Sequence, residues 1–395
     1  MIRVGTLALV CAALGAGAAF GIGRATGLLG SSTTETVVVH APAAAGAGAL
    51  AAARAVLPLA GSTFAPARIY AARSPGVVTV FAYSGVSGAQ GSGFVVAADG
   101  TILTNAHVIT DAGETGVGAS VKPAARVYVE FSDHDRIAAR IVGWDVFDDV
   151  GVIRVDPSAH RLVPLPLGRS ATVVVGEPVA SIGSPLGNED SLAIGVVSAV
   201  GRSIAALTAA HYQLVDAIQT DAPIAHGSSG GPLLDGAGRV IGITAQIRDD
   251  AGAPTGIGFA VPIDAARRSL HDLLLNGHVD YAFAGVQTED LTPALAQHLK
   301  LSASHGALVD AVTPGGPAAL AGLRGGSREV EFDGEAVRLG GDVILAVNGT
   351  PVENGDALVR IVTNDLRPGT TAVFTVLRSG RRRAFVLHLT TRAPS

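Results

Sequence analysis

Between Ser74 and Pro262 the chain repeats one pattern, a short run rich in Val and Ile that is closed by Gly, Asp or Pro. GVVTVFAY, ARVYVEF, DVGVIRV and GRVIGITAQI are examples of these runs. β-branched residues favour extended strands, whereas Gly, Asp and Pro favour the turns between them. Such a regular alternation of strands and turns predicts an antiparallel barrel or sandwich and constrains this part of the chain to a mainly-β fold.

The pattern changes after Pro262. The stretch DAARRSLHDLLL has apolar residues at helical spacing, with Asp264 as the predicted N-cap and Asn276-Gly277 as the predicted stop. We therefore expect a domain boundary near His278. The remaining segment mixes short strands with helical stretches such as TPALAQHL and GDALVRIVT, which predicts a separate domain of about 110 residues.

The N-terminus predicts export. Residues 4–23 carry no charge, and a helix of this length covers the hydrocarbon core of a bilayer. Residues 1–30 are therefore predicted to be a signal anchor that leaves a single-pass protein in the cell membrane. The alternative is a signal peptide cleaved near Ala16-Gly17-Ala18, which gives a secreted or periplasmic protein. Residues 31–65 are rich in Thr, Ala and Gly and predict a flexible linker.

Composition excludes several function classes. Lys and Arg total 28 and Asp and Glu total 33, and the net charge of −5 argues against a nucleic-acid partner. The single cysteine, Cys11, allows no intramolecular disulfide, and no thiolate-type metal spacing occurs. We expect neither a metal nor a cofactor.

A glycine-rich turn carries the strongest chemical signal. The sequence GSSGGP at 227–232 follows an apolar run that ends at Ile224. A serine between glycines can expose its hydroxyl, and the uncrowded backbone can direct two N–H groups at one point, as an oxyanion hole requires. The alternative interpretation is an ordinary glycine-rich turn.

A serine hydroxyl needs a base within hydrogen-bond reach, and that base needs an orienting group. His107 directly follows the predicted strand TILT, and Asp148 and Asp149 stand at the entry to another predicted strand. The chain order is then His, Asp, Ser, an order known for this catalytic geometry. Spacing alone leaves both aspartates open, because it does not say which one turns inward.

Several motifs in one order resemble the HtrA/Deg group of trypsin-like serine proteases with a C-terminal PDZ domain, from about Phe64 to Leu389. They are GSGFVV at 91–96, TNAHV at 104–108, Asp145-x-x-x-Asp149-Val-Gly-Val-Ile, GSPLG at 183–187, GVVSAVGR at 195–202 and QTDAPIAHGSSGGPLLD at 219–235. The resemblance implies a trypsin-like double β-barrel protease domain over residues 66–277, followed by a smaller α+β PDZ domain over residues 278–395.

Carried over residue by residue, the resemblance makes His107 the general base, Asp149 its orienting carboxylate and Ser229 the nucleophile. It also implies that the backbone N–H groups of Gly227 and Ser229 form the oxyanion hole. The family commonly has Asn at positions 225 and 228, where this chain has Ala225 and Ser228.

The same register indicates substrate preference. Trypsin-like enzymes that cleave after Lys or Arg carry a carboxylate six residues before the nucleophile, a position that Pro223 occupies here. A basic P1 side chain is therefore not expected. Ile224 and Ala225, together with the later residues Ile243 and Gly258, suggest a modest apolar S1 pocket.

The C-terminal motifs resemble a PDZ domain. Phe283, Ala284, Gly285 and Val286 match its carboxylate-binding loop, in which successive backbone N–H groups bind a peptide C-terminus. The matching strand and turn lie at 341–352 and the matching short helix at 315–323. Three apolar residues have helical spacing and suit either a peptide groove or plain core packing: Leu358, Ile361 and Val362.

The resemblance implies an exported serine endopeptidase that degrades unfolded or misfolded proteins. Its PDZ domain would bind peptide C-termini and regulate activity, and a homotrimer would form through the N-terminal segment, with Phe64 and Tyr70 as contacts. The alternative is a latent or inactive protease that acts as a chaperone-like peptide-binding protein. Residues 249–255 are a predicted sensor loop or a plain hairpin tip.

Overall fold

The computed structural model describes residues 64–85, 87–112, 121–184, 191–205, 213–245 and 257–392. The predicted signal anchor, almost all of the predicted linker and the predicted sensor loop lie outside these residues. None of the helices in these ranges combines the length and the apolar composition that crossing a bilayer requires.

Six antiparallel strands close the first barrel in the order β1-β2-β3-β6-β5-β4. Their Val and Ile side chains fill its interior, where Val80, Ile102, Val129 and Ile153 are fully buried. The strands are β1 Val77–Ser84, β2 Ser87–Val95, β3 Thr101–Thr104, β4 Arg126–Glu130, β5 Arg136–Asp145 and β6 Val150–Val155. Helix α1, Pro66–Arg73, and a 3₁₀ turn, Ser74–Gly76, precede β1, and helix α2, Ala106–Ile109, follows β3.

Six further strands close a second barrel in the order β10-β11-β12-β9-β8-β7. They are β7 Pro178–Gly183, β8 Ser191–Ala205, β9 Gln213–Thr220, β10 Pro232–Leu234, β11 Val240–Ala245 and β12 Gly258–Pro262. A 3₁₀ turn, Ser170–Thr172, lies between the barrels. The double-barrel prediction is thus confirmed, and the sandwich alternative is excluded.

Helix α3, Ile263–Asn276, packs on β5, β6, β11 and β12 and so joins the two barrels. It ends as predicted, with Gly277 in the left-handed region at φ +76°. The predicted N-cap at Asp264 is wrong, because the helix begins at Ile263 with Pro262 as the cap, two residues earlier than predicted. The Asp264 carboxylate instead accepts hydrogen bonds from the Ser170 hydroxyl and the Ala171 N–H.

The second domain has one main sheet in the order β14-β15-β18-β20-β21, a pair β13-β22 and a hairpin β16-β17, while β19 pairs with β18. The strands are β13 Ala282–Phe283, β14 Val286–Asp290, β15 Ala307–Val312, β16 Arg328–Phe332, β17 Glu335–Leu339, β18 Val343–Val347, β19 Thr350–Pro351, β20 Thr371–Arg378, β21 Arg381–His388 and β22 Thr390–Thr391. The helices are α4 Pro293–His298, α5 Pro317–Ala321 and α6 Gly355–Arg360, which continues into a π-helical turn, Ile361–Asp365.

The N-terminal edge of the described chain belongs to the protease core. Phe64 is 9% exposed and lies in the same hydrophobic cluster as Ile69, with Tyr70 packed against that cluster. The Phe64 side chain, predicted to contact another copy in a trimer, is therefore largely covered by its own chain.

Candidate active site

The pairing of β3 with β6 brings His107 and Asp149 together. Thr104 lies opposite Gly151 in this pair, so helix α2, which follows β3, lies beside the residue that precedes β6. His107 Nδ1 is 2.8 Å from Asp149 Oδ2, and the His107 backbone N–H donates to Asp149 Oδ1 at 3.1 Å. Both carboxylate oxygens thus hold the same histidine, which fixes the orientation of its ring.

Asn105 fixes the backbone of Asp149. Asp149 has a left-handed conformation with φ +50°, and its carbonyl accepts a hydrogen bond of 2.8 Å from Asn105 Nδ2. Asn105 is fully buried, and its Oδ1 has no hydrogen-bond partner among the described residues. Sequence reasoning assigned no role to Asn105, although its place two residues before His107 in TNAHV was a usable signal.

The neighbouring Asp148 faces a different environment. Its carboxylate accepts hydrogen bonds from Arg268 and from the Tyr281 hydroxyl. The two adjacent aspartates therefore separate, since the left-handed turn at Asp149 sends their side chains in different directions. The structure places the carboxylate of Asp149 against His107.

Strand β2 holds the serine turn against the first barrel. The Ser92 N–H donates to the Ser229 carbonyl at 2.7 Å. A Cβ on Gly91 would come within 3.0 Å of both the Val108 side chain and the Ser229 carbonyl. The close approach that Gly91 permits thus places the backbone of Ser229 next to the helix that carries His107.

The backbone around Ser229 is oriented by β11. The Ser228 carbonyl accepts from the Thr244 hydroxyl at 2.6 Å and from the Gly231 N–H at 3.0 Å. In a trans peptide the carbonyl and the following N–H point in opposite directions, so the Ser229 N–H points away from Thr244. Gly227 lies two residues earlier with φ +92°, and its carbonyl accepts from the Ser92 hydroxyl at 2.6 Å.

The predicted S1 residues differ in exposure. Ile224 is half-buried and packs closely on Gly258, where a Cβ would lie 2.5 Å from its Cδ1. Ala225 is exposed, and its carbonyl accepts from the Ser228 N–H at 2.9 Å. The structure brings Ile224 and Gly258 together, as the sequence suggested, while Ile243 is fully buried inside the second barrel.

The predicted carboxylate loop spans the end of β13 and the start of β14. The Ala284 carbonyl accepts from the Ala318 N–H, and the Gly285 carbonyl accepts from the Thr313 N–H, both at 2.9 Å. By the same trans-peptide geometry, the N–H groups of Gly285 and Val286 point away from these donors. Gly285 has φ +76°, a left-handed conformation that glycine adopts without a steric penalty.

Three predicted groove residues lie inside the second domain. Leu358 and Ile361 are 2% exposed and Val362 is 8% exposed, and all three belong to its hydrophobic core. The core-packing alternative therefore describes these side chains in the structure.

Two families match the chain in sequence. The family described as trypsin-like peptidase domain matches residues 91–243, and the family described as PDZ domain matches residues 283–389. The first range contains His107, Asp149 and Ser229, and the second begins at Phe283.

Relatives that match about seven tenths of this chain carry protease names. A probable periplasmic serine endoprotease DegP-like of Pseudomonas fluorescens is 36% identical over 293 residues, which cover 74% of this chain and 54% of that protein. The putative serine protease HhoA of Synechocystis is 38% identical over 281 residues, covering 69% of this chain and 64% of that protein. The chain thus spans between about half and two thirds of the length of these curated relatives.

Solved structures share the fold over nearly their whole length. The HtrA-type protease AlgW with a tripeptide has a TM-score of 0.69 and 30% identity, covering 84% of this chain and 98% of that chain. A serine endoprotease from Yersinia pestis has a TM-score of 0.60 and 28% identity, covering 83% of this chain and 98% of that chain.

Proposed function

Because this chain belongs to the HtrA family of trypsin-like serine endoproteases with a PDZ domain, we propose that it hydrolyses peptide bonds with Ser229, His107 and Asp149. The observation that carries this proposal is the His107–Asp149 pair, in which both carboxylate oxygens bind one histidine. A carboxylate so placed holds the imidazole in one tautomer and stabilises the imidazolium that forms when it accepts a proton.

In the proposed reaction the Ser229 hydroxyl attacks the scissile carbonyl while His107 accepts its proton. His107 then returns the proton to the leaving amine, and water hydrolyses the acyl-enzyme by the same steps in reverse. The N–H groups of Gly227 and Ser229 stabilise the oxyanion. Loss of one such donor costs about 10² to 10³ in rate.

We further propose a protease domain over residues 66–277 and a PDZ domain over residues 278–395. Ile224 and Ala225 border a small apolar S1 pocket, because Ile224 packs on Gly258 and Pro223 supplies no carboxylate for a basic side chain. The loop Phe283–Val286 binds the C-terminal carboxylate of a peptide and regulates the protease.

The proposed substrates are unfolded or misfolded proteins outside the cytoplasm, as the predicted export signal and the periplasmic name of the Pseudomonas fluorescens relative suggest. Residues 1–30 anchor the protein in the membrane or are removed on export. We also propose a homotrimer, as the family resemblance implies. Phe64 is then mainly a core residue rather than a trimer contact.

The test is degradation of casein by the chain from Gly61 onward, with the Ser229→Ala variant under identical conditions. Loss of a triad residue costs up to about 10⁶ in kcat, so cleavage should disappear in the variant. Equal and negligible cleavage by both proteins would instead favour the alternative, a latent enzyme or a peptide-binding protein. Equal and substantial cleavage would exclude Ser229 as the nucleophile.

A further inference from the structure

A buried polar cluster lies directly beside the turn that carries Asp149. It consists of Asp145, Asp148, Arg268, Ser269 and Tyr281, and we call it the carboxylate cluster. Asp145, Asp148 and Tyr281 are each 3% exposed. The cluster is not required by the three-residue chemistry above, and burying two carboxylates is costly unless their partners are well placed.

Every carboxylate in the cluster is held by a specific donor. Asp145 Oδ2 accepts from the Tyr281 hydroxyl at 2.5 Å and from the Ser269 hydroxyl at 2.7 Å. Asp148 Oδ2 accepts from Arg268 Nη2 at 2.5 Å and from the Tyr281 hydroxyl at 2.9 Å. The Tyr281 hydroxyl thus lies between two carboxylate oxygens and shares its one proton between them, with the shorter distance to Asp145.

Asp145 also shapes the turn itself. Its Oδ1 accepts from the Phe147 N–H at 3.0 Å and from the Asp148 N–H at 3.4 Å. These bonds fold the backbone back on itself immediately before Asp149. Asp149 then leads into β6 from a left-handed conformation, so its side-chain direction depends on where the preceding turn is fixed.

The electrostatics of the cluster require its arginine. Two carboxylates face one guanidinium, and burial together with the charge of Asp148 raises the pKa of Asp145. Burial also raises the pKa of Tyr281, which keeps its hydroxyl protonated as a donor. Without Arg268, Asp148 would be a buried charge lacking its cationic partner, and movement of the turn toward water would relieve that cost.

The PDZ domain contributes to the same support. Arg268 Nη1 donates to Asn364 Oδ1 at 2.7 Å, and Asn364 belongs to the π-helical turn after α6. The Arg392 guanidinium lies 4.9 Å above the Phe147 ring, which in turn packs on Tyr281. Asn364 and Arg392 of the second domain therefore contact the arginine and the turn.

We propose that Arg268 and Tyr281 are positioning residues for the Asp149 carboxylate, and that Asn364 makes the PDZ domain part of this support. The inference rests on the proposed function, because only a working triad gives Asp149 an orientation that matters. It adds a physical connection from α6 and its π-helical turn through Arg268 and Asp148 to Asp149. A displacement of about 1 Å at a catalytic group can cost about 10²-fold in rate.

A purely structural role would give a different result. A cluster that only joins the domains would change the fraction of folded protein but not the turnover of the folded molecules. A positioning role lowers kcat and leaves KM nearly unchanged, because Asp149 acts on proton transfer and does not touch the substrate.

The experiment measures kcat and KM on a short peptide for the full chain, with the folded fraction taken from thermal unfolding. The variants are Arg268→Gln, Arg268→Lys, Tyr281→Phe and Asn364→Ala. Arg267→Gln is the matched control, because Arg267 lies on the same helix but binds Asp264 and the Gly168 carbonyl.

We expect Arg268→Gln to lower kcat about tenfold or more with KM within about twofold, and Arg268→Lys to recover part of the loss. Tyr281→Phe should lower kcat about threefold, and Asn364→Ala should lower it in the same direction by a smaller factor. Tyr281→Phe keeps the ring that packs on Phe147, so it decides the question if Arg268→Gln does not fold.

The proposal is overturned if Tyr281→Phe and any folded Arg268→Gln protein match Arg267→Gln in kcat. The result is separable from the proposed function. If Ser229→Ala abolishes cleavage while the cluster variants turn over normally, only the positioning role fails. If Ser229→Ala cleaves as fast as the wild type, the proposed function itself fails.

Discussion

At the scale of single residues, Gly230 is a position in the serine turn where a side chain would not fit. Its φ is +89°, and a Cβ there would lie 2.1 Å from the Ser92 carbonyl oxygen. Ser92 also donates its N–H to the Ser229 carbonyl, so the clash would separate the serine turn from β2. We expect Gly230→Ala to abolish proteolysis and to destabilise the fold by about 3 kcal/mol.

The matched control for this prediction is Gly236→Ala. A Cβ at Gly236 would meet only Phe64 Cδ2, at an ordinary contact distance of 3.9 Å. Its thermal unfolding and casein cleavage should stay close to those of the wild type. If both variants unfold at the wild-type temperature and remain active, the close approach of Gly230 to Ser92 has no functional importance.

Asp145 gives the molecule a pH-dependent contribution to stability. Burial first, and then the charge of Asp148, raise the pKa of Asp145 from 3.8 to about 6. The other groups that face it are Tyr281, Ser269 and Arg268. Since the folded state binds this proton more tightly, the contribution is complete below about pH 4 and is lost as the pH rises through about 6.

Asp145→Asn removes this titration and allows its size to be measured by urea unfolding at pH 4.5 and pH 7.5. The free energy of unfolding of the wild type, relative to that of the variant, should fall by about 2 kcal/mol between the two pH values. Titrating groups that do not interact with Asp145 act equally on both proteins and cancel in the comparison. A difference that is the same at both pH values would contradict the raised pKa.

The sequence predicted the proposed catalytic residues but not the residues that support them. The motif positions of His107, Asp149 and Ser229 were readable because each follows or precedes a short predicted strand. Spacing could not choose between Asp148 and Asp149, since the left-handed backbone at Asp149 breaks the alternation of side chains that a strand implies. The support from Arg268 and Tyr281 depends on tertiary packing and left no local signal.

At the scale of elements, turn chemistry was the most reliable guide. The predicted strand and turn at 341–352 form the pair β18 and β19, joined by Asn348 and Gly349 at φ +48° and +84°. Two consecutive positive φ values suit the Asn-Gly sequence. The start of α3 was predicted wrongly because the Asp264 carboxylate binds Ser170 and Ala171 instead of capping the helix. These two residues lie 93 or more positions away in the sequence.

Helix α6 offers a test of capping in the PDZ domain. Asn354 Oδ1 accepts from the Ala357 N–H at 2.8 Å and so satisfies one of the amides at the start of the helix. Asn354→Ala should lower the free energy of unfolding by about 1 kcal/mol and speed hydrogen exchange across residues 355–360. Asn354→Asp keeps the acceptor and should retain most of the protection; equal exchange in both variants would contradict the capping role.

At the scale of the whole molecule, the sequence indicated two folded units but not how they meet. Arg268 on the protease helix α3 bonds to Asn364 of the second domain, and Tyr281, just after the predicted boundary, bonds to Asp145 and Asp148 of the first barrel. Each of these contacts joins residues that are 96 or more positions apart. Residue type and local periodicity carry no information at that range, so the connection was visible only in the structure.

This connection predicts reciprocal coupling between the proposed peptide site and the proposed active site. A peptide with a free C-terminal carboxylate should change the inhibition constant of a reversible boronic-acid inhibitor of Ser229 by about fivefold or more. The inhibitor must then change the affinity of the peptide by the same factor, because the two binding free energies are linked. The same peptide with an amidated C-terminus is the control, since it lacks the group that the loop at 283–286 is proposed to bind.

The coupling can be traced with the variant that breaks the proposed connection. Arg268→Gln should bind both ligands, but each ligand should change the affinity for the other less than in the wild type. The reason is that the substitution removes both the bond to Asn364 and the partner of Asp148. An inhibition constant that saturating peptide leaves unchanged in the wild type would show that the two domains work independently. A factor that is equal in the wild type and in Arg268→Gln would mean that the coupling follows another set of contacts.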